Sequence, residues 1–106
     1  YIFGSSAIRA ADILGGLNLV LNDLRDEAGE FTEKIGAANE PLQKLLKMLE
    51  DEMNELKNSV ENPDRLRHQV YDMLFILFEI ASKYGMDLDA EWEKGRRNKK
   101  IKYLNE

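Results

Sequence analysis

A chain of 106 residues makes one domain, with a real core but little surface-to-volume margin. Its 43% hydrophobic and 33% charged residues and net charge of −5 fit a soluble helical domain and exclude a disordered tail. With no cysteine and one histidine, His68, the sequence excludes disulfides, thiolate catalysis, Cys-type and His-rich metal sites, and the usual Ser-His-Asp triad.

Helical periodicity dominates from the start, and strand signals are absent. A short helical turn is expected near Ala7–Leu14, separated by Gly15-Gly16 from the first long helix. Leu17, Val20, Leu21, Leu24, Ala28, Phe31 and Ile35 recur at i, i+3, i+4, i+7, which predicts an amphipathic helix over about 17–35. Gly36-Ala37-Ala38-Asn39 ends it, with Asn39 the expected cap of the next helix. That second helix carries Leu42, Leu45, Leu46, Leu49, Met53, Leu56 and Val60 as one apolar stripe. Asn62-Pro63 then reads as an N-cap followed by the first helical residue. The third helix, about 63–84, is apolar nearly all round from Met73 to Ala81, so it is expected to be central and buried on more than one side. Gly85 stops it and Asp87 caps a fourth helix, which is expected to dock through Leu88, Trp92, Ile101 and Leu104.

The fold class is therefore all-α, a bundle of four to five helices. Three small partners cannot cover the central helix, and an apolar excess of that size usually marks an interface. A homodimer is the simplest solution, with a tetramer left open.

Two polar segments interrupt this pattern on consecutive helices. Asp51-Glu52-Met53-Asn54-Glu55 precedes the turn at Glu61-Asn62-Pro63-Asp64, and Gln69-Val70-Tyr71-Asp72 follows it. Residues at i and i+3 share a helix face. Antiparallel packing would bring Glu52, Glu55, Gln69 and Asp72 together, and three carboxylates with an amide oxygen suit a hard cation such as Mg²⁺. Neighbouring apolar positions draw that charge towards the packed seam, where an unpaired charge is expensive and a metal would neutralise it. The alternative is an ordinary solvated face, with Glu50, Asp51, Glu52 and Glu55 paired at i, i+4 to cations such as Lys47.

Charge is uneven along the chain. From Glu91 onward six basic residues (Lys94, Arg96, Arg97, Lys99, Lys100, Lys102) face three acids, a net +3, which leaves −8 for the rest. This is either a phosphate-binding arm or a solvated helix end whose cations suit the helix dipole. No apolar run reaches the roughly 18 residues of a membrane span, and the opening residues do not read as a signal peptide. A few residues are expected ahead of Tyr1, since methionine does not open the chain. A cytoplasmic protein without a membrane partner is the expectation.

From about Leu42 to Tyr103 the chain resembles the MazG-like all-α nucleoside triphosphate pyrophosphohydrolases, a superfamily that also includes dimeric dUTPases and phosphoribosyl-ATP pyrophosphohydrolases. Their signature is Glu-Glu-x-x-Glu, a spacer, then Glu-x-x-Asp running into an apolar helix. Here Asp51-Glu52-Met53-Asn54-Glu55 matches the first element, and Asp72-Met73-Leu74-Phe75-Ile76-Leu77 is similar to the Asp-led apolar run. Ala81-Ser82-Lys83-Tyr84-Gly85-Met86-Asp87-Leu88 resembles the helix-loop-helix link. Lys94-Gly95-Arg96-Arg97-Asn98 fits the Lys-x-x-x-Asn element, and Lys102-Tyr103 its basic-aromatic pair. The N-terminal 40 residues match only loosely.

The resemblance implies cleavage of nucleoside triphosphates to a monophosphate and pyrophosphate, with house-cleaning of nucleotide pools as a role. It implies Mg²⁺, or Mn²⁺, held by Glu52, Glu55 and Asp72 with Gln69 as a fourth ligand. One of these carboxylates, or Asp51, would take a proton from water. Lys94 and Asn98 would bind substrate phosphates, helped by Arg97 or Lys102. Phe31, Tyr71 and Trp92 are candidates for base selection, though Trp and Phe residues are more often core.

Gln69 is the departure, since the family has a metal-binding Glu there. Three readings stay open: a working site with weaker metal affinity, another acid (Glu79, Glu27 or Glu30) in its place, or a chain that only binds nucleotides or a protein. The rival class is a non-catalytic dimerising adaptor. Nucleic-acid binding ranks below both, because the basic arm is short and the body acidic.

Overall fold

In the computed structural model residues 20–106 are described, and every element among them is helical. The expected turn at 7–14, the Gly15-Gly16 break and positions 17–19 lie outside the described residues. Four α-helices follow: α1 Leu21–Lys34, α2 Leu42–Lys57, α3 Pro63–Lys83 and α4 Leu88–Lys99, the last continuing into a π-helical turn, Lys100–Leu104. The all-α class is borne out. None of these helices is long and apolar enough to cross a membrane.

Local chemistry sets most of the boundaries. Gly36 at φ 75° and Gly85 at φ 60° take the left-handed conformation that ends α1 and α3. The Asn62 side chain accepts from Arg65 N at 3.1 Å, with Pro63 at the first helical position. Asp87 caps α4 by accepting from Ala90 N at 3.0 Å. The cap expected at Asn39 is not found. Pro41 stands at the N-cap of α2 with φ −69°, and its ring has no polar atom with which to cap the helix.

Residues Arg25–Met86 form one compact unit. Its most extensive helix contact is between α2 and α3. Leu45, Ile76 and Ala81 are buried, with Ala28 and Thr32 from α1. Gly29 lets α1 and α3 approach closely here, because a Cβ on it would collide with Ser82 Oγ and force that side chain to turn. As the sequence predicts, α3 is covered on more than one side but not completely: Met73, Phe75, Ile76, Phe78, Ile80 and Ala81 are buried or half-buried. Val70, Leu74 and Leu77 are each 47% exposed, and Leu46 and Met53 of α2 are 47% and 40% exposed.

The second unit joins 20–24 to Asp87–Glu106, and reciprocal capping defines it. Asn22 Oδ1 accepts from Leu88 N at 2.8 Å, and its Nδ2 donates to Asp87 Oδ1 at 3.0 Å. In return Asp89 Oδ1 accepts from Leu21 N at 2.9 Å and more weakly from Asn22 N at 3.4 Å. Each helix start thus supplies acceptors for the free amides of the other. Docking through α4's apolar residues is corrected for three of the four. Leu88 is half-buried, but Trp92, Ile101 and Leu104 are more than half exposed.

Asn22→Ala and Asp89→Ala should each lower stability by about 1–2 kcal/mol, the usual range for a lost cap. The double mutant should lose less than the sum, since either change breaks the same exchange. Urea denaturation of the four proteins of this cycle measures both; fully additive losses would show that the two caps act independently.

Candidate functional site

The α2–α3 hairpin brings the two polar segments of the sequence to one seam. Glu52 on α2 and Asp72 on α3 are half-buried and line the same pocket, of about 580 Å³. The pocket's apolar wall includes Phe31 from α1, Ile35 just after it, Met48 from α2, and Tyr71, Phe75 and Ile76 from α3. Phe31 and Phe75 meet edge to face with ring centroids 5.5 Å apart, and Tyr71 leans on Phe75 at 6.2 Å. This explains why Phe31 and Ile35, expected as core, stand 49% and 59% exposed: they form a wall rather than a filling. Glu27, Glu30 and Glu79, the alternative acids of the sequence reading, also line the pocket.

The electrostatics follow from this crowding. Burial pushes the Glu52 carboxyl above its ordinary range; the carboxylates of Asp72 and Glu55 raise it further, His68 pulls it back, and Asp51 adds a smaller push. Glu79 is raised by burial and then by Glu40. Asp72 has a polar partner in His68, whose Nε2 lies 3.0 Å from Oδ2. Glu55 is exposed and faces Arg65, with Nη2 at 3.6 Å from Oε2. Gln69 has its Oε1 buried without a hydrogen-bond partner within the protein. Buried amide oxygens are rarely left so.

Asp51 is turned away from this group, bonded to Lys47 Nζ at 2.6 Å, one turn back on the solvent side of α2. For Asp51, then, the solvated-face reading applies. Among the described residues no three His, Asp or Glu side chains sit close enough together to hold a metal ion. The donor types nonetheless fit a hard cation: three carboxylates and an amide oxygen that has no other partner.

Lys94 and Asn98 are exposed on α4, four residues apart on one face. Arg97 and Arg96 share Glu93, at 4.0 and 3.3 Å. Lys102 lies over the Tyr103 ring at 5.2 Å from its centroid. Trp92 does not line the acidic pocket; it borders a cleft of about 480 Å³ with Gly95, Tyr103 and Leu104. Sequence reasoning missed Arg65 and the wall residues Met48 and Phe75. Arg65 had a readable signal, because it stands one turn before Gln69 and two before Asp72.

Comparison with known proteins adds no relative: no family model, curated protein or solved structure matches the chain.

The Glu52 result carries a pH prediction. A carboxyl raised on folding binds its proton more tightly in the folded state, so its favourable contribution is complete below the unfolded value of 4.5 and is lost as pH rises through the folded value. At neutral pH the ionised Glu52 therefore costs stability. Glu52→Gln should raise the melting temperature near pH 7 in chelator, and the gain should vanish as the pH falls below the carboxylate range. Thermal melts across that range test it; a mutant that is less stable at pH 7 would contradict the crowding argument.

Proposed function

We propose that the protein is a divalent-cation-dependent nucleoside triphosphate pyrophosphohydrolase, releasing a nucleoside monophosphate and pyrophosphate. The observation that carries this reading is the single pocket in which Glu52 and Asp72, from successive helices, adjoin the aromatic wall of Phe31, Tyr71 and Phe75. Acids suited to a cation next to flat apolar surface suited to a base are what a nucleotide phosphohydrolase requires. The resemblance of the Asp51–Glu55, Asp72–Leu77 and Lys94–Asn98 segments to the MazG-like pattern supports the same reading.

Glu52, Glu55 and Asp72 would hold Mg²⁺ or Mn²⁺, with the Gln69 oxygen as a neutral fourth ligand. A bound cation would supply phosphate charge neutralisation and a more acidic water. One of these carboxylates, or Asp51 beside them, is the proposed proton acceptor for the attacking water. Phe31, Tyr71 and Phe75 would hold the base by stacking and exclude water from it. Lys94 and Asn98 are the proposed phosphate contacts.

A second copy of the chain is the proposed occupant of the apolar stripe formed by Leu46, Met53, Val70, Leu74 and Leu77. Light scattering at tens of micromolar should give at least twice 12.2 kDa. A monomer mass would remove this part of the proposal.

One other reading has specific support. Glu55 pairs with Arg65, Asp72 lies against His68 and Gln69 is uncharged, which also suits a helical module that binds nucleotides or dimerises without catalysis. A screen of nucleoside triphosphates with Mg²⁺ and Mn²⁺, scored by pyrophosphate release, separates the two. Asp72→Asn should abolish both that activity and the rise in melting temperature that the metal gives by binding the folded state. Gln69→Glu should do the reverse, since an added carboxylate attracts the cation more strongly at the cost of stability in chelator. A metal response unchanged in both variants would move the site elsewhere.

A further inference from the structure

Glu79 is a half-buried carboxylate that the fold leaves unanswered. It makes no hydrogen bond or ion pair among the described residues, and the neighbouring charge that bears on it is another acid, Glu40. Polar groups withdrawn from water are normally bonded, so this one is open to donors from outside the chain. It lines the acidic-aromatic pocket on the face of α3 that also carries Asp72 and Phe75. From Asp72 to Glu79 the helix advances about 10 Å, with Phe75 between them.

The first helix gives the pocket a direction. It runs antiparallel to α3: Arg25 Nη1 donates to Met86 O at 2.6 Å, and Gly29 lies against Ser82. Glu27 and Glu30 therefore fall towards the Glu79 end, and Lys34 towards the Asp72 end. Lys34 is exposed, has no ion pair, and is the one cation on the lining among the described residues. A nucleotide stacked on Phe31 and Phe75 would point its phosphates towards Lys34 and the edge of its base towards Glu79.

That edge meets acceptors. An ionised carboxylate has two oxygens side by side and no proton to offer. Adenine and cytosine place a ring-nitrogen acceptor beside their amino group, and uracil flanks its N3–H with carbonyls. Guanine presents two adjacent donors, N1–H and the 2-amino group. A carboxylate takes such a pair bidentately, as it takes the parallel N–H groups of a guanidinium.

We propose that Glu79 reads the base and selects guanine, accepting from N1–H and the 2-amino group while the ring stacks on Phe31 and Phe75. The proposal rests on reading this pocket as a nucleotide site, and it needs no bound metal. It has a consequence that a merely structural carboxylate does not share. An amide in place of the carboxylate offers one acceptor and one donor, the pattern that pairs with adenine.

The test measures dissociation constants for guanosine, inosine, adenosine, cytidine and uridine by ligand-observed NMR in chelator. It compares wild type with Glu79→Gln and the control Glu27→Gln, which removes the same charge from an exposed position at the same end. Wild type should bind guanosine most tightly, and inosine, which lacks only the 2-amino group, about tenfold or more weakly. Glu79→Gln should weaken guanosine about tenfold or more and should bind adenosine more tightly than wild type does. Glu27→Gln should keep the wild-type order. Equal affinity for guanosine and inosine, another nucleoside ranking first, no nucleoside bound, or an unchanged order in Glu79→Gln would overturn the proposal. So would a Glu27→Gln variant that loses guanosine as Glu79→Gln does. Pyrophosphate release judges the enzyme reading separately. Release without guanosine selectivity would sink the role of Glu79 alone, and selectivity without release would uphold that role in a pocket that binds without catalysis.

Discussion

The antiparallel seam between α2 and α3 is the constraint from which the site follows. Apolar residues at turn spacing on both helices drive the pairing, and burial of Leu45 and Ile76 fixes its register. Once that register is set, polar residues one position beside the apolar ones have no choice of neighbour. Glu52 is brought within electrostatic reach of Asp72 and Glu55 whether or not that contact is favourable. The raised proton affinity of Glu52 measures the conflict. Packing energy distributed over many side chains holds together a few charges that would otherwise separate.

The remaining charges read as partial answers to that conflict. His68 stands against Asp72 and Arg65 against Glu55, one nitrogen partner for each outer acid. Glu52, between them, has no ion pair of its own among the described residues, and it is the acid whose carboxyl is raised. Exposed pairs of this kind compensate weakly, because solvent screens them. They also leave readily, so a ligand of higher charge can replace them without breaking the fold. An apolar frame with weakly held polar partners is what the proposed cation and phosphate binding would need, since the partners can be exchanged while the frame stays.

Much of the frame was legible in the sequence because its signals are local. Asn62-Pro63, Asp87, Gly36 and Gly85 each act within a turn of themselves, and their helix boundaries follow directly. The acids beyond the main motif were legible too: Glu27, Glu30 and Glu79 fall on the pocket as their helical phase requires. Non-local facts were not. Asn22 exchanges hydrogen bonds with residues 65 to 67 positions away, and no periodicity announces such a pair. Asp51 looked like part of the motif, but one helical turn back Lys47 offers it a partner in water. The uncovered stripe of α3 was legible as an excess of apolar surface, but which residues carry it, Val70, Leu74 and Leu77, depends on how the neighbouring helices pack.

Gln69 draws these threads together. Its oxygen is buried and unpaired, a condition that costs about 1–3 kcal/mol when no donor arrives. A leucine at that place would remove the cost, and a glutamate would deepen it by adding a charge to a buried position. Glutamine keeps an uncharged oxygen there, three residues before Asp72, and spares the protein another carboxylate. The proposed cation would take that oxygen as a neutral ligand and would also offset the charge that Glu52 carries once ionised, so one ligand would answer two separate costs of the fold.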